Sequence, residues 1–271
     1  EQASGMDAIR EQFEQANPGY GLTWLPQASQ LVATNATVAL VQSGSGMCVH
    51  PGGKSAYALG HLFCLNSGET LQLEPPASLL VFTLPQPLAS RPPAVIRPDW
   101  DEKITDQPGG CATEGYAYRR IMLTWQGKNG PYMSRQINVH RVRIHDSFTH
   151  YHPLEGGFDE FYLVQEAPVG ARLLLSEELD TLLAPKSVSK KQSAGLLREI
   201  PLRVGDLIYL PRGTVHRGMG GAVVQVITTP GFVPGAEISV DGEIEAINER
   251  LQLQGTDALP FHRGPNFVSV E

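Results

Sequence analysis

The stretch from residue 141 to residue 220 carries side chains that could bind a metal ion. His150 and His152 are separated by one residue on an extended segment, so both imidazoles should point to the same face. Glu160 follows with the same even parity, and His216 comes just after a Pro-x-Gly turn, a tight bend that fixes where the next side chains lie. Three imidazoles and one carboxylate form a mixed nitrogen and oxygen site, which suits a divalent transition metal. This pattern predicts a metal centre.

The same residues resemble the two motifs of the cupins. The first cupin motif is His-x-His followed by Glu and then Gly, which His150 and His152 begin to match. The second is Gly, five residues, Pro-x-Gly, two residues, His, three residues and Asn, and Gly220 stands here where Asn is usual. The residues that match this second motif at every spacing are Gly205, Pro211, Gly213 and His216. The resemblance extends from about residue 135 to about residue 235 and implies a metal-binding jelly-roll barrel.

The carboxylate is where the chain departs from the cupin pattern. In cupins the Glu follows the second His after three or four residues, whereas here the loop 153–157 lengthens the gap. Glu155 and Asp159 therefore compete with Glu160 as the acidic ligand. We favour Glu160, because it begins the apolar segment 160–164, whereas Glu155 lies in the glycine-containing loop. A cupin that keeps the scaffold and binds no metal is the alternative.

Composition places the chain among globular proteins. It has 271 residues, of which 41% are hydrophobic and 18% are charged. The formal net charge of −7 argues against a nucleic-acid partner, since phosphate binding depends on clustered Lys and Arg. Three cysteines without Cys-x-x-Cys spacing predict neither a disulfide framework nor a zinc ribbon. No apolar run approaches twenty residues and no leader pattern is visible, so we expect no membrane span and a cytoplasmic protein.

Short runs rich in Val, Leu, Thr and aromatic residues, bounded by Gly, Pro, Ser and Asn, predict strands along most of the chain. These runs are 36–42, 57–65, 70–73, 79–84, 116–125, 137–145 and 222–228. Two amphipathic helices are predicted over 7–17 and 241–253, and a helical insert over 176–184 is a candidate lid. The first helix could pack against a barrel or a partner subunit, so a homodimer is a further expectation.

The predicted fold class is all-β. Together with the cupin resemblance, it implies a double-stranded β-helix, or jelly-roll barrel, in two tandem halves with a few peripheral helices. Residues 68–76 faintly repeat the glycine-to-proline strand of the second motif, which suggests a duplicated barrel whose first half has lost its site. The predicted division is 1–24 for an N-terminal helical segment, 25–110 for the degenerate half and linker, 111–240 for the metal-binding cupin domain, and 241–271 for a C-terminal helix and tail.

The proposed ligand set leaves one or two of six octahedral positions open for water, substrate or O₂. Iron(II) is our first expectation for the metal, and Mn(II), Ni(II) and Zn(II) also fit these ligands. Tyr162, Arg143 and Gln225 are candidate catalytic residues of the pocket. Arg141 or Arg143 could bind a substrate carboxylate through the guanidinium fork, and the alternative is that both arginines face solvent on an outer strand.

Cupins include dioxygenases, decarboxylases, sugar isomerases and metal-free binding proteins, so the resemblance alone does not select a reaction. Our first hypothesis is an iron(II)-dependent dioxygenase of a small organic substrate. The second is a metal-dependent isomerase or decarboxylase of a sugar acid or keto acid. A small-molecule-binding cupin without turnover is the third.

Overall fold

The computed structural model of the protein describes residues 2–112, 117–125, 127, 129–233 and 235–264. Strand is the predominant secondary structure of the chain and far exceeds helix, which confirms the predicted all-β class. The chain forms two compact units, each with its own apolar core. The first unit comprises Glu1–Thr105, Arg120–Arg141 and Thr229–Gly231, and the second comprises Asp106–Arg119, Val142–Thr228 and Phe232–Glu271.

The first unit contains helix α1 (Gln2–Ala16) and a seven-stranded antiparallel sheet. Its strands are β1 (Gly21–Val32), β2 (Thr37–Ser43), β3 (Gly46–His50), β4 (Gly53–Tyr57), β5 (Leu62–Leu65), β6 (Thr70–Thr83) and β7 (Val95–Ile96). The strand order is β4-β3-β6-β2-β5-β7, and β1 also pairs with β6. Phe13 of α1 is fully buried and packs edge-on against Phe82 of β6, which explains the apolar face of this helix.

The second sheet has nine strands, and the division between the units falls within the first two of them. They are β8 (Arg119–Leu123), β9 (Asn138–Asp146), β10 (His150–Tyr151), β11 (Asp159–Glu166), β12 (Arg172–Ser176), β13 (Arg198–Pro201), β14 (Leu207–Leu210), β15 (Val215–Thr229) and β16 (Ile238–Ser239). The helices of this unit are α2 (Leu179–Leu182), α3 (Lys190–Ser193) and α4 (Asp241–Leu251), followed by a 3-10 turn, Gly255–Asp257.

Most predicted strands overlap an observed strand, with differences at their ends. The predicted runs 70–73 and 79–84 belong to one continuous strand, β6, and β1 was not predicted at all. The run 116–125 corresponds to β8, although its first residue lies outside the described residues. The helical insert contains only the short helix α2, whose Leu182 packs in an apolar cluster with Ile244 of α4.

Strand β15 organises the second unit because it pairs with four others, β9, β10, β11 and β12. One face of the sheet forms an apolar core, to which Tyr162 and Val164 of β11 and Val224 and Val226 of β15 contribute. These residues alternate along their strands, as side chains on one face of a sheet must. The intervening residues of β11 and β15 therefore lie on the opposite face.

Gly220 lies within β15 at a point where the backbone needs a glycine. Its φ is +86°, and a Cβ atom there would overlap the backbone carbonyl of Gly170. A left-handed residue with a side chain is strained, and the nearby backbone cannot move aside easily. The close approach of Gly170 explains why the Asn that is usual at this motif position is absent here.

Replacing Gly220 with Ala is expected to lower the free energy of unfolding by about 2 kcal/mol, because φ and the overlap are both unfavourable. The matched control is Gly242→Ala in α4, where a Cβ would meet no atom within 4 Å. Alanine is the better helix former, so that variant should gain up to about 1 kcal/mol. Urea denaturation of both variants checks the opposite signs, and an unchanged Gly220→Ala protein would contradict the packing described here.

All three cysteines, Cys48, Cys64 and Cys111, are free and buried. Among the helices of the described residues, none is long and apolar enough to cross a bilayer.

Candidate metal centre

Strand pairing in the second unit brings the three predicted histidines together. His150 of β10 lies directly opposite His216 of β15 in the antiparallel register. His152 follows two residues later, and its carbonyl accepts a hydrogen bond of 2.8 Å from the amide of Gly213 in the turn before His216. The Pro-x-Gly turn thus ties the two histidine-bearing segments to each other.

The three imidazoles converge in the interior of the unit. Each histidine is only 1% exposed, and one ring nitrogen from each lies within 4.8 Å of the other two. The ring centroids of His150 and His216 are 4.3 Å apart, and those of His152 and His216 are 5.1 Å apart. The Nε2 atoms of all three are buried without a hydrogen-bond partner. Buried polar atoms are normally paired, so three such atoms facing each other indicate a missing common partner.

Backbone carbonyls fix which nitrogen of each ring carries the proton. Nδ1 of His150 lies 3.1 Å from the carbonyl oxygen of Phe148, and Nδ1 of His216 lies 3.1 Å from that of Thr214. The His152 ring donates in the same way to the backbone of Phe158. Because a carbonyl can only accept, Nδ1 of His150 and of His216 must donate, which leaves the lone pair on Nε2. Metal-binding histidines are oriented by this kind of hydrogen bond.

Burial also keeps two of these imidazoles neutral. Desolvation, and then the neighbouring His216, lowers the pKa of His150 well below its usual value. The pKa of His152 is lowered in the same way, first by burial and then by the other two histidines. A metal ligand must offer a free lone pair, so a depressed pKa favours metal binding.

Of the three candidate carboxylates, only Glu160 faces the histidines. Its oxygens lie 3.6 Å from Nε2 of His152 and 3.6 Å from Nε2 of His216. Glu155 is exposed in the loop. Asp159 is buried but is bound elsewhere, since it accepts hydrogen bonds from the backbone and side chain of Arg212. The donor set of three imidazoles and one carboxylate fits a divalent metal ion. Elsewhere in the described chain, no second group of three His, Cys, Asp or Glu residues converges in this way.

No family model matches the sequence, and neither does any curated protein. A Bacillus subtilis oxalate decarboxylase, solved as a single-residue mutant, matches with a TM-score of 0.50 and 14% identity over 93% of this chain and 81% of that one. A cupin 2 conserved barrel domain protein from Leptotrichia buccalis matches with a TM-score of 0.47 and 9% identity over 79% of this chain and 85% of that one. The chain has the cupin fold.

At these identities the likeness concerns the fold alone. A third solved structure, an oxalate decarboxylase of Lactobacillus farciminis in complex with formate, has a TM-score of 0.49 and 14% identity over 92% of this chain and 89% of that one. Another Bacillus subtilis structure was solved in a study of the Mn(II) centres of its oxalate decarboxylase.

Tyr162 is the one predicted catalytic residue that lies beside the three histidines. Its ring meets that of His216 edge-on, with the centroids 6.2 Å apart. Burial, and then the charge of Glu160, raises the pKa of Tyr162 well above its usual value. The phenol therefore keeps its proton at neutral pH and can donate a hydrogen bond next to the site.

The structure places the other two predicted pocket residues away from the apolar interior. Arg143 follows Val142, which belongs to the core, and its guanidinium donates to Glu166 at 2.8 Å and to the carbonyl of Gly221. This placement corresponds to the alternative in which the arginine faces outward from its strand and does not bind a substrate carboxylate. Gln225 lies between Val224 and Val226 on the opposite face of β15, where it accepts a hydrogen bond from Gln165.

Arg141 belongs to the first unit and is buried there. Its guanidinium forms an ion pair of 3.2 Å with Asp99 in the first unit. The arginines that the sequence offered for binding a substrate carboxylate thus both have acidic partners of their own.

Sequence reasoning missed the aromatic walls of the site and a second acidic group. Phe148 stacks on His150 and Phe158 packs on His152, with ring centroids 4.4 Å and 4.0 Å apart. Glu237 has a carboxylate oxygen 3.8 Å from Nε2 of His150. The two phenylalanines flank the His-x-His pair and could have been found from that proximity. Glu237 carried no local signal, because only the pairing of β16 with β10 brings it near.

Proposed function

We propose that the second unit of this cupin is a metal-dependent enzyme that acts on a small organic substrate. One divalent ion would be held by His150, His152, Glu160 and His216. The observation that carries the proposal is the convergence of three buried Nε2 atoms, each without a hydrogen-bond partner, beside the Glu160 carboxylate. A purely structural cluster of neutral histidines would leave these polar atoms unsatisfied at a cost of about 1–3 kcal/mol each.

Each residue of the site has a role in this proposal. The metal, when bound, would supply Lewis acidity to a coordinated substrate oxygen. The three imidazoles bind through Nε2 while the backbone carbonyls hold their rings in place. Phe148 and Phe158 exclude water from two of the ligand rings. Tyr162 donates a hydrogen bond from its phenol to a substrate or ligand oxygen.

Two reactions are candidates within this class. The first is an iron(II)-dependent dioxygenase, which the open coordination positions of a four-ligand site would permit. The second is a decarboxylase or isomerase of a small acid, which is supported by a specific observation, namely that an oxalate decarboxylase has the same fold. With Arg141 and Arg143 bound to other acids, the substrate carboxylate of this second candidate would attach to the metal instead.

An assay with and without oxygen separates the two candidates. Protein loaded with Fe(II) or with Mn(II) is offered a panel of small hydroxy, keto and dicarboxylic acids, and products are followed by mass spectrometry. The first candidate predicts turnover with Fe(II) that is lost under nitrogen and accompanied by oxygen uptake. Turnover that is undiminished without oxygen would contradict a dioxygenase and favour the second candidate. His145→Ala, an exposed histidine of β9, is the control for His216→Ala, which should be inactive in either case.

A cytoplasmic location, a homodimer and the lack of a nucleic-acid partner stay predictions from the sequence.

A further inference from the structure

Glu237 is a second acidic side chain at the candidate metal centre. It immediately precedes β16, whose Ser239 pairs with His150 and whose Ile238 pairs with Tyr151. This register places the Glu237 carboxylate on the side of His150, with Oε1 3.8 Å from Nε2. The side chain is only 11% exposed, so the carboxylate is held inside the unit rather than in solvent.

The distance from Glu237 to His150 is comparable with the distances from Glu160 to the other two histidines. Two ligand atoms that each lie about 2.1 Å from one ion are about 3.0 Å apart when adjacent and about 4.2 Å apart when opposite. The 3.8 Å separation for Glu237 and the two 3.6 Å separations for Glu160 all fall within these limits. The Glu160 oxygens thus lie near His152 and His216, and the Glu237 oxygen lies near His150, so each of the three Nε2 atoms has a carboxylate oxygen within 3.8 Å.

We propose that Glu237 is a fifth protein ligand of the metal ion. This inference rests on the proposed function, because it requires that the ion binds. Three neutral imidazoles and two carboxylates would neutralise the charge of a divalent cation. Five protein ligands would leave one position of a six-coordinate ion for the substrate. The substrate would then attach through a single oxygen, and a chelating substrate could bind only by displacing Glu237.

The test uses Mn(II) as the probe on the full chain freed of metal with a chelator. Mn(II) affinity is measured by the electron paramagnetic resonance signal of the free ion, and the waters on the bound ion are counted from line broadening in ¹⁷O-enriched water. The variants are Glu237→Ala and Glu237→Gln. The glutamine variant keeps the size of the side chain but removes its charge. Glu249→Ala and Glu249→Gln, at an exposed glutamate of α4, are the matched controls.

We expect Glu237→Ala to bind Mn(II) about 100-fold more weakly than the wild type. Loss of a residue that only orients a metal ligand lowers metal affinity by about 10- to 100-fold, and the expected loss lies at the upper end of that range. The water count should rise from about one to about two, as six-coordination requires. Glu237→Gln should also bind more weakly, and both Glu249 variants should match the wild type.

Three outcomes would overturn the inference in distinguishable ways. If the wild type binds Mn(II) and Glu237→Ala has the same affinity and the same number of waters, Glu237 is not a ligand while the metal-dependent function stands. Weaker binding with an unchanged water count would likewise make Glu237 a supporting residue and not a ligand. If the wild type itself binds no divalent ion, the proposed function fails and this inference fails with it.

Discussion

Glu160→Ala should bind a divalent metal at least about 100-fold more weakly than the wild type, whereas Glu155→Ala should bind it normally. The expected loss of metal affinity is larger than that for residues that only orient a metal ligand. The reason is that the Glu160 carboxylate lies 3.6 Å from Nε2 of both His152 and His216. Glu155 lies exposed in the loop between the histidines and the strand that carries Glu160. Elemental analysis of both variants, purified without chelators, gives the metal content, and calorimetric titration gives the affinity.

Glu155→Ala is a stringent control because it removes the same side chain five residues away. Glu160→Gln adds a second comparison, since an amide oxygen can occupy the same place without the charge. Metal retention by Glu160→Ala equal to that of the wild type would remove Glu160 from the ligand set. A loss confined to Glu155→Ala would move the assignment into the loop.

The second large effect is expected for Asp159→Ala, which should lower the free energy of unfolding by about 3 kcal/mol. Asp159 is 1% exposed, and its oxygens accept hydrogen bonds from the backbone amide and guanidinium of Arg212 and from the Tyr209 hydroxyl. Removing one partner of a buried ion pair leaves the other without compensation for its desolvation. Chemical denaturation followed by tryptophan fluorescence and circular dichroism measures the change.

An exposed ion pair of the same unit provides the control. Arg172 and Glu199 are 3.5 Å apart, and the Glu199 side chain is 60% exposed. Glu199→Ala should change the unfolding free energy by less than about 1 kcal/mol, since exposed pairs are screened by water. If Asp159→Ala were as mild as Glu199→Ala, the Asp159 interactions would not stabilise the turn that precedes His216.

The ligand-bearing segments were predictable because their signals are local. An x-His-x-His-x alternation needs only an extended backbone, and Pro211 and Gly213 specify the bend before His216 within six residues. Helix α4 begins at the predicted residue for the same reason, since Ile244 and Ile247 repeat at helical spacing. Asp159 shows the limit of local reasoning, because its partners Arg212 and Tyr209 lie about fifty residues further along the chain.

For buried strands, hydropathy did not predict which face of the sheet each side chain lies on. Residues on both faces of β15 are buried, so polar and apolar residues do not alternate along this strand. The sequence around Gln225 therefore does not show which face of the sheet its side chain lies on. Arg143 lies on β9, where polar and apolar residues occur at both parities. Glu237 depends on a two-residue pairing between β16 and β10, a register that no sequence pattern specifies.

Strand β6 was divided in the prediction because Pro75 and Pro76 normally interrupt strands. The observed strand runs through both prolines, and its pairing with β1 shifts register in the neighbouring region. The strand continues beyond both prolines to Thr83.

Two buried cysteines, one in each unit, could report on the unfolding of that unit. Cys64 lies in the first unit and Cys111 in the second, and burial raises the pKa of each thiol to about 12. Because the thiolate is the reactive form, neither sulfur can be alkylated at a useful rate until its surroundings open. The order in which the two thiols become reactive during unfolding would therefore reveal which unit opens first.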